Sequence, residues 1–137
     1  MTIATYPLLD PIPTRAKVFG WLLVLAGCFF GYVFMAMPGA FFPGVTVETF
    51  AERFGLYSTG VRVFGSVAGL VIALALNSAA LLALMLATRI FIELGDVGVG
   101  LILNGAPDQN TFSLTAIALV EAYMLVFLIR HIGRSRT

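Results

Sequence analysis

The sequence predicts an all-α membrane protein: a four-transmembrane-helix bundle with a short interfacial helix in the first outer loop. Three observations predict it. Only 11% of the 137 residues are charged while 60% are hydrophobic, whereas a soluble domain carries charge on about a quarter of its residues. Four apolar runs approach the roughly twenty residues a helix needs to cross a bilayer core. The stretches between the runs gather proline, glycine and polar residues, which stop helices and turn the chain. The whole of 1–137 reads as a single integral membrane domain.

The opening stretch "MTIATYPLLDPIPTRAK" places three prolines and Asp10 ahead of the first apolar run. A secretory signal peptide instead passes directly from positive charge to an apolar core. Residues 1–14 are therefore expected to form an irregular cytoplasmic arm. The first span is 18–37, "VFGWLLVLAGCFFGYVFMAM", which is uncharged and ends at Pro38 and Gly39. Trp21 near its start suits the headgroup boundary. Cys28 within it is expected to be a small buried hydrophobe, and a lone cysteine forms neither an internal disulfide nor a CxxC pair.

The next stretch, "PGAFFPGVTVETFAERFGL", is too broken by Pro43 and Gly44 to span. Thr49 and Glu52 have the spacing of a capping box, and Gly55 is a candidate stop. Phe50 and Phe54, four apart, share a helix face. Together these predict a short helix over 46–55 lying along the membrane surface. The second span is 59–76 and carries Arg62 near its start. A tight turn at "LNSAA" leads into the third span, 78–103. The loop "NGAPDQN" precedes the fourth, 112–132, and "RHIGRSRT" forms a basic tail.

Four spans bring both ends of the chain to one side. Arg15 and Lys17 flank the first span and Arg130, Arg134 and Arg136 the last, while Arg53 and Arg62 are what the other side offers. The positive-inside rule then places both termini in the cytoplasm, in the inner membrane of a cell. Gly27/Gly31 and Gly65/Gly69 have the small-xxx-small spacing that lets helix backbones approach closely in lipid, and packing within the bundle is preferred over a dimer face.

The ionisable residues within the spans are Arg62, Arg89, Glu93, Asp96 and Glu121. Each costs several kcal/mol in hydrocarbon unless paired, hydrated or near the edge. Arg89, Glu93 and Asp96 recur at helical spacing and project from one face. With a rise of about 1.5 Å per residue, Asp96, Glu93 and Glu121 all fall roughly 10–15 Å below the outer surface. The expected arrangement is one polar layer of two arginines against three carboxylates, with a charge of −1 if all are ionised. Three readings stay open: a structural lock on helix register, a binding pocket or acid/base site opening outward, and a partner interface. Gly95, Gly98 and Gly100 beside the acids are expected to serve close packing.

Other chemistry is sparse. A net charge of +1 leaves no basic surface for nucleic acid. His131 is the sole histidine and sits among the basic residues at the end of the last span. No spacing for zinc, haem or iron–sulfur ligation occurs, so no cofactor is expected. A transporter path needs polar groups through the full depth, and the inner half offers little beyond Asn77, Ser78 and Thr88. Tyr32, Tyr57 and Tyr123 are expected to serve packing or line a groove.

"PGAFFPG" before a short helix in the first outer loop, "RIFIELGD" on the third span and "GLYSTGVRVFG" leading into the second give the chain a layout that resembles the DoxX-like small bacterial membrane proteins. The resemblance covers most of the chain. It implies a four-helix fold and an accessory place in a larger membrane complex, and it carries no catalytic residue over. Some such proteins are assigned to complexes passing electrons to quinone, but redox ligands are lacking here. The expected function is thus an accessory or ligand-binding subunit, with Arg62, Arg89, Glu93, Asp96 and Glu121 as binding residues. Its partners would be membrane lipids, a larger membrane complex and a small apolar ligand. The alternative is an intramembrane acid/base enzyme of isomerase type, acting through Glu93, Asp96 or Glu121 on a lipid, sterol or quinone-type substrate.

Overall fold

The computed structural model describes residues 10–37, 48–107 and 109–135. Four helices follow in order: α1 (Thr14–Ala36), α2 (Phe50–Ala75), α3 (Ala79–Asn104) and α4 (Gln109–Arg134). Three of them, α1, α2 and Thr111–Arg134 of α4, are long and apolar enough to cross a membrane. α3 is as long as α2 but carries Arg89, Glu93 and Asp96.

The largest departure from expectation is at the start of α2. A separate short helix over 46–55 is not seen: residues 50–55 are the first turns of α2, which runs on unbroken to Ala75, while 46 and 47 lie outside the described residues. The capping box itself is present. Glu52 N–H donates to Thr49 Oγ1 at 3.2 Å, and Thr49 N–H donates back to Glu52 Oε2 at 2.9 Å. Gly55 does not end the helix, because one glycine costs only about 1 kcal/mol relative to alanine, and Ala51, Glu52, Arg53 and Leu56 around it favour the helix. Phe50 and Phe54 stack with ring centroids 6.0 Å apart.

α1 packs on α2 and α3 on α4, forming two antiparallel pairs that meet mainly through α2 and α3. The first pair is close because α1 presents glycine. A side-chain carbon on Gly27 would collide with Val67, and one on Gly31 would lie 3.0 Å from the Phe64 ring. The Gly27/Gly31 spacing therefore serves packing within the bundle. The second spacing divides: Gly69 receives Met85 of α3, while Gly65 faces open space.

The apolar core occupies one half of the bundle. Leu70, Leu82, Leu86 and Leu128 are fully buried and pack with Ile12, Ala16, Val24, Val67 and Leu74. All lie toward the end that carries the α2–α3 turn, called here the turn end. Elsewhere large apolar side chains face outward on all four helices, among them Leu25, Phe29, Ile72, Phe91, Ile102, Leu119 and Tyr123. A soluble monomer does not expose so much apolar surface. Cys28 belongs to this outward face and is exposed, contrary to the expectation of burial, because α1 turns its glycine face inward instead.

The turn end is closed by the chain preceding α1. Residues 10–13 are irregular, as expected, but firmly docked. Ala79 N–H donates to the Asp10 carbonyl at 2.9 Å, and Ile12 N–H donates to Asn77 Oδ1 at 3.2 Å. Ser135 Oγ donates to Asp10 Oδ2 at 2.8 Å. Asn77 holds φ at +49° in the turn, a conformation asparagine tolerates better than most residues. Ser78 then caps α3, accepting from Leu81 N–H at 3.3 Å.

Candidate functional site

Just beyond the leucine core, α3 and α4 bring three charged side chains together. Arg89 and Glu93 are one turn apart on α3 and share a face. Glu121 arrives from α4 through the register of the α3–α4 pair. Near the connecting loop, Gly100 lies against Thr111, where a side-chain carbon would be 3.8 Å from Thr111 Oγ1. Arg89 is eleven residues back from Gly100 and Glu121 is ten residues on from Thr111, so the antiparallel helices set them face to face. Gly105 at φ +69° makes the reversal by capping α3 in the left-handed conformation.

Arg89 holds both carboxylates. Its Nε donates to Glu121 Oε1 at 2.8 Å, and its Nη2 lies 2.7 Å from the same oxygen. Nη2 also donates to Glu93 Oε1 at 3.0 Å. Glu121 is 0% exposed and Glu93 9%. Arg89 stands ten residues into α3, roughly 15 Å from the turn end. One guanidinium thus faces two carboxylates near the middle of the bundle.

Each carboxylate spends only one oxygen on this pairing. Glu93 Oε2 and Glu121 Oε2 are buried and have no hydrogen-bond partner among the described residues. Buried polar atoms are nearly always partnered, and an unmade bond at a charged group costs more than at a neutral one. Among the described residues, the buried side-chain oxygens without a partner are these two, one on each carboxylate that Arg89 holds.

The remaining two predicted residues form a separate pair. Arg62 Nη2 on α2 donates to Asp96 Oδ2 on α3 at 2.7 Å, with the side chains 44% and 35% exposed. The five residues are therefore gathered as a buried triad and a half-exposed pair, whose Asp96 lies about one turn beyond Glu93 and two turns beyond Arg89 on α3. The pair bridges α2 to α3 on the far side of the triad from the turn end.

Of the three glycines beside the acids, Gly100 packs toward Thr111 as expected and the other two do not. A side-chain carbon at Gly95 or Gly98 would meet nothing within 4 Å, so neither serves close packing, and α3 continues past both to Asn104. Tyr32, Tyr57 and Tyr123 face outward. His131 sits with Arg134 in the last turn of α4, where positive charge complements the helix dipole. No group of three or more histidine, cysteine or acidic side chains suited to a metal ion occurs among the described residues. The partnering of Glu121 with Arg89 was not readable from spacing, since it depends on the loop that sets the α3–α4 register.

No protein-family model, no curated protein and no solved structure matches the chain.

Proposed function

We propose that this chain is a ligand-binding or accessory subunit of a cell inner membrane, with all four helices embedded and the Arg89–Glu93–Glu121 triad as its binding centre. The observation that carries the reading is the pair of buried carboxylate oxygens, Glu93 Oε2 and Glu121 Oε2, without a partner among the described residues. Ionisable groups at membrane depth are functional candidates by default, and a lock on helix register would need no unspent acceptors. α3 is included as a span because its charges face Glu121 and Arg62 while Phe91 and Ile102 face outward. Arg15, Lys17, Arg130 and Arg134 cluster at the turn end, which supports cytoplasmic termini by the positive-inside rule. The DoxX-like layout supports the same fold and a place in a larger membrane complex.

The test is to purify the full chain in mild detergent and identify co-purifying small molecules by mass spectrometry, for the wild type and for Glu93→Gln and Glu121→Gln. A molecule retained by the wild type and lost from the folded variants is the expected result. Identical bound lipids in all three proteins would sink the reading. The second reading, acid/base catalysis on a lipid, sterol or quinone-type substrate, draws on the same two oxygens. It expects the glutamine variants to keep the bound molecule but stop its conversion.

A further inference from the structure

With Arg89 and both carboxylates ionised, the charge and the unspent oxygens of the triad narrow the kind of group it would accept. Arg89 contributes +1 and the two carboxylates −2, so the ionised triad carries a net charge of −1. Each unspent oxygen on an ionised carboxylate only accepts hydrogen bonds. We infer that the triad is a receptor for the protonated amine head of an apolar molecule, whose N–H groups bond Glu93 Oε2 and Glu121 Oε2 while its charge balances the centre. This rests on the binding role proposed above and names the ligand class for that site.

Other head groups meet the two deficits less well. A hydroxyl supplies one donor and no charge. A carboxylate or phosphate supplies neither and adds repulsion. A quaternary ammonium supplies charge without a donor. Bonds between charged partners are roughly twice as strong as neutral ones, and a low dielectric enlarges the difference.

The surroundings suit an apolar body. Arg89 and Glu93 form the edge of the triad nearest the surface, their side chains 13% and 11% exposed against 0% for Glu121, and Ile90 and Val97, one turn to either side of Glu93 on the same face of α3, are partly exposed. A hydrocarbon tail can lie along them while the head meets the carboxylates. The approach is from the half beyond the leucine core, across the α2–α3 seam. There the helices pack less extensively than within either pair, and Arg62–Asp96 bridges them.

Four probes of one chain length separate the alternatives: dodecylamine, dodecanol, dodecanoate and dodecyltrimethylammonium. Each is titrated into the full chain in nanodiscs of neutral lipid, and thermal unfolding is followed for wild type, Glu93→Gln and Glu121→Gln. Glu93→Gln is the mainstay if Glu121→Gln fails to fold. Dodecylamine should raise the unfolding temperature of the wild type, with an apparent Kd about tenfold or more tighter than dodecanol, and the rise should vanish in Glu93→Gln. An equal, triad-dependent rise with dodecanol would overturn the amine assignment and leave the binding role standing. A preference for dodecanoate, or equal binding of dodecyltrimethylammonium, would also overturn it. If none of the probes acts through the triad, both the assignment and the binding role fail.

Discussion

Replacing Arg89 with methionine removes the group that holds the triad together. In the structure this guanidinium contacts Glu121 Oε1 at 2.8 and 2.7 Å and Glu93 Oε1 at 3.0 Å. Its loss strips the partner from Glu121 Oε1 and Glu93 Oε1, beside two Oε2 atoms that have none among the described residues, in a site where Glu121 is fully buried. Breaking a buried ion pair from one side costs about 3–5 kcal/mol, and Arg89→Met should destabilise the bundle by about that amount. Removing all three charges is different. Arg89→Met/Glu93→Leu/Glu121→Leu replaces the triad with apolar groups of similar volume, which is often neutral or stabilising by about 1–4 kcal/mol. The assay is equilibrium unfolding in mixed micelles of dodecyl maltoside and sodium dodecyl sulfate, followed by far-ultraviolet circular dichroism. Arg62→Met is the control, because its half-exposed pair with Asp96 should contribute about 1 kcal/mol or less. The reasoning is refuted if Arg89→Met unfolds within about 1 kcal/mol of wild type, or if the triple variant is less stable than Arg89→Met.

Four further outcomes follow from the packing and the caps. Thr49→Ala removes the acceptor for Glu52 N–H and should cost about 1 kcal/mol, read as faster amide exchange in the first turn of α2. Gly27→Ala places a carbon against Val67 and should destabilise by about 1–3 kcal/mol; Gly65→Ala enters open space and should be neutral or gain about 0.5–1 kcal/mol, both read by thermal unfolding. Asn77→Val should cost about 1–2 kcal/mol from the positive φ alone and should also free Ile12 N–H to exchange, whereas Asn77→Gly should show the faster exchange with less strain. Reporter fusions after Thr137 should be active only for a cytoplasmic reporter, and activity of a periplasmic reporter there would reverse the proposed orientation.

The helices were legible because length and apolar composition are written in the sequence: three of them are long and apolar enough to cross a membrane, and α1, α3 and α4 begin and end within a few residues of expectation. α2 was shortened because Gly55 was weighed as a stop. Its actual cost is small beside the hydrogen bonds of a helix already nucleated by Thr49 and Glu52. Arg89 with Glu93 was legible from the helical repeat. Glu121 with Arg89, and Asp96 with Arg62, were not, because cross-helix partners depend on register and crossing rather than on spacing. The docking of Asp10 and Ile12 on the α2–α3 turn was invisible for the same reason: it joins residues 65 or more positions apart, through the Asn77 side chain and through backbone groups that every sequence possesses. Gly95 and Gly98 show the converse limit, since a glycine pattern does not reveal whether anything stands opposite it.

The position of the triad bears on which kinds of function the fold permits. Arg89 lies one turn beyond Leu86 on α3, and toward the turn end the buried layer is Leu86, Leu82, Leu70 and Leu128. Of the polar groups below that layer, Asn77 Oδ1 accepts from Ile12 and Ser78 Oγ accepts from Leu81. A hydrophilic path across the membrane would need donors or acceptors free to serve at every level, and close-packed leucine offers none. On the other side of the triad the Arg62–Asp96 ion pair joins α2 to α3, the seam that packs less extensively than either helix pair. The charges therefore stand just beyond the leucine core, on the side away from the turn end. On the binding role proposed above, that asymmetry would favour a site loaded from one side over a conduit, with the α2–α3 seam as its approach.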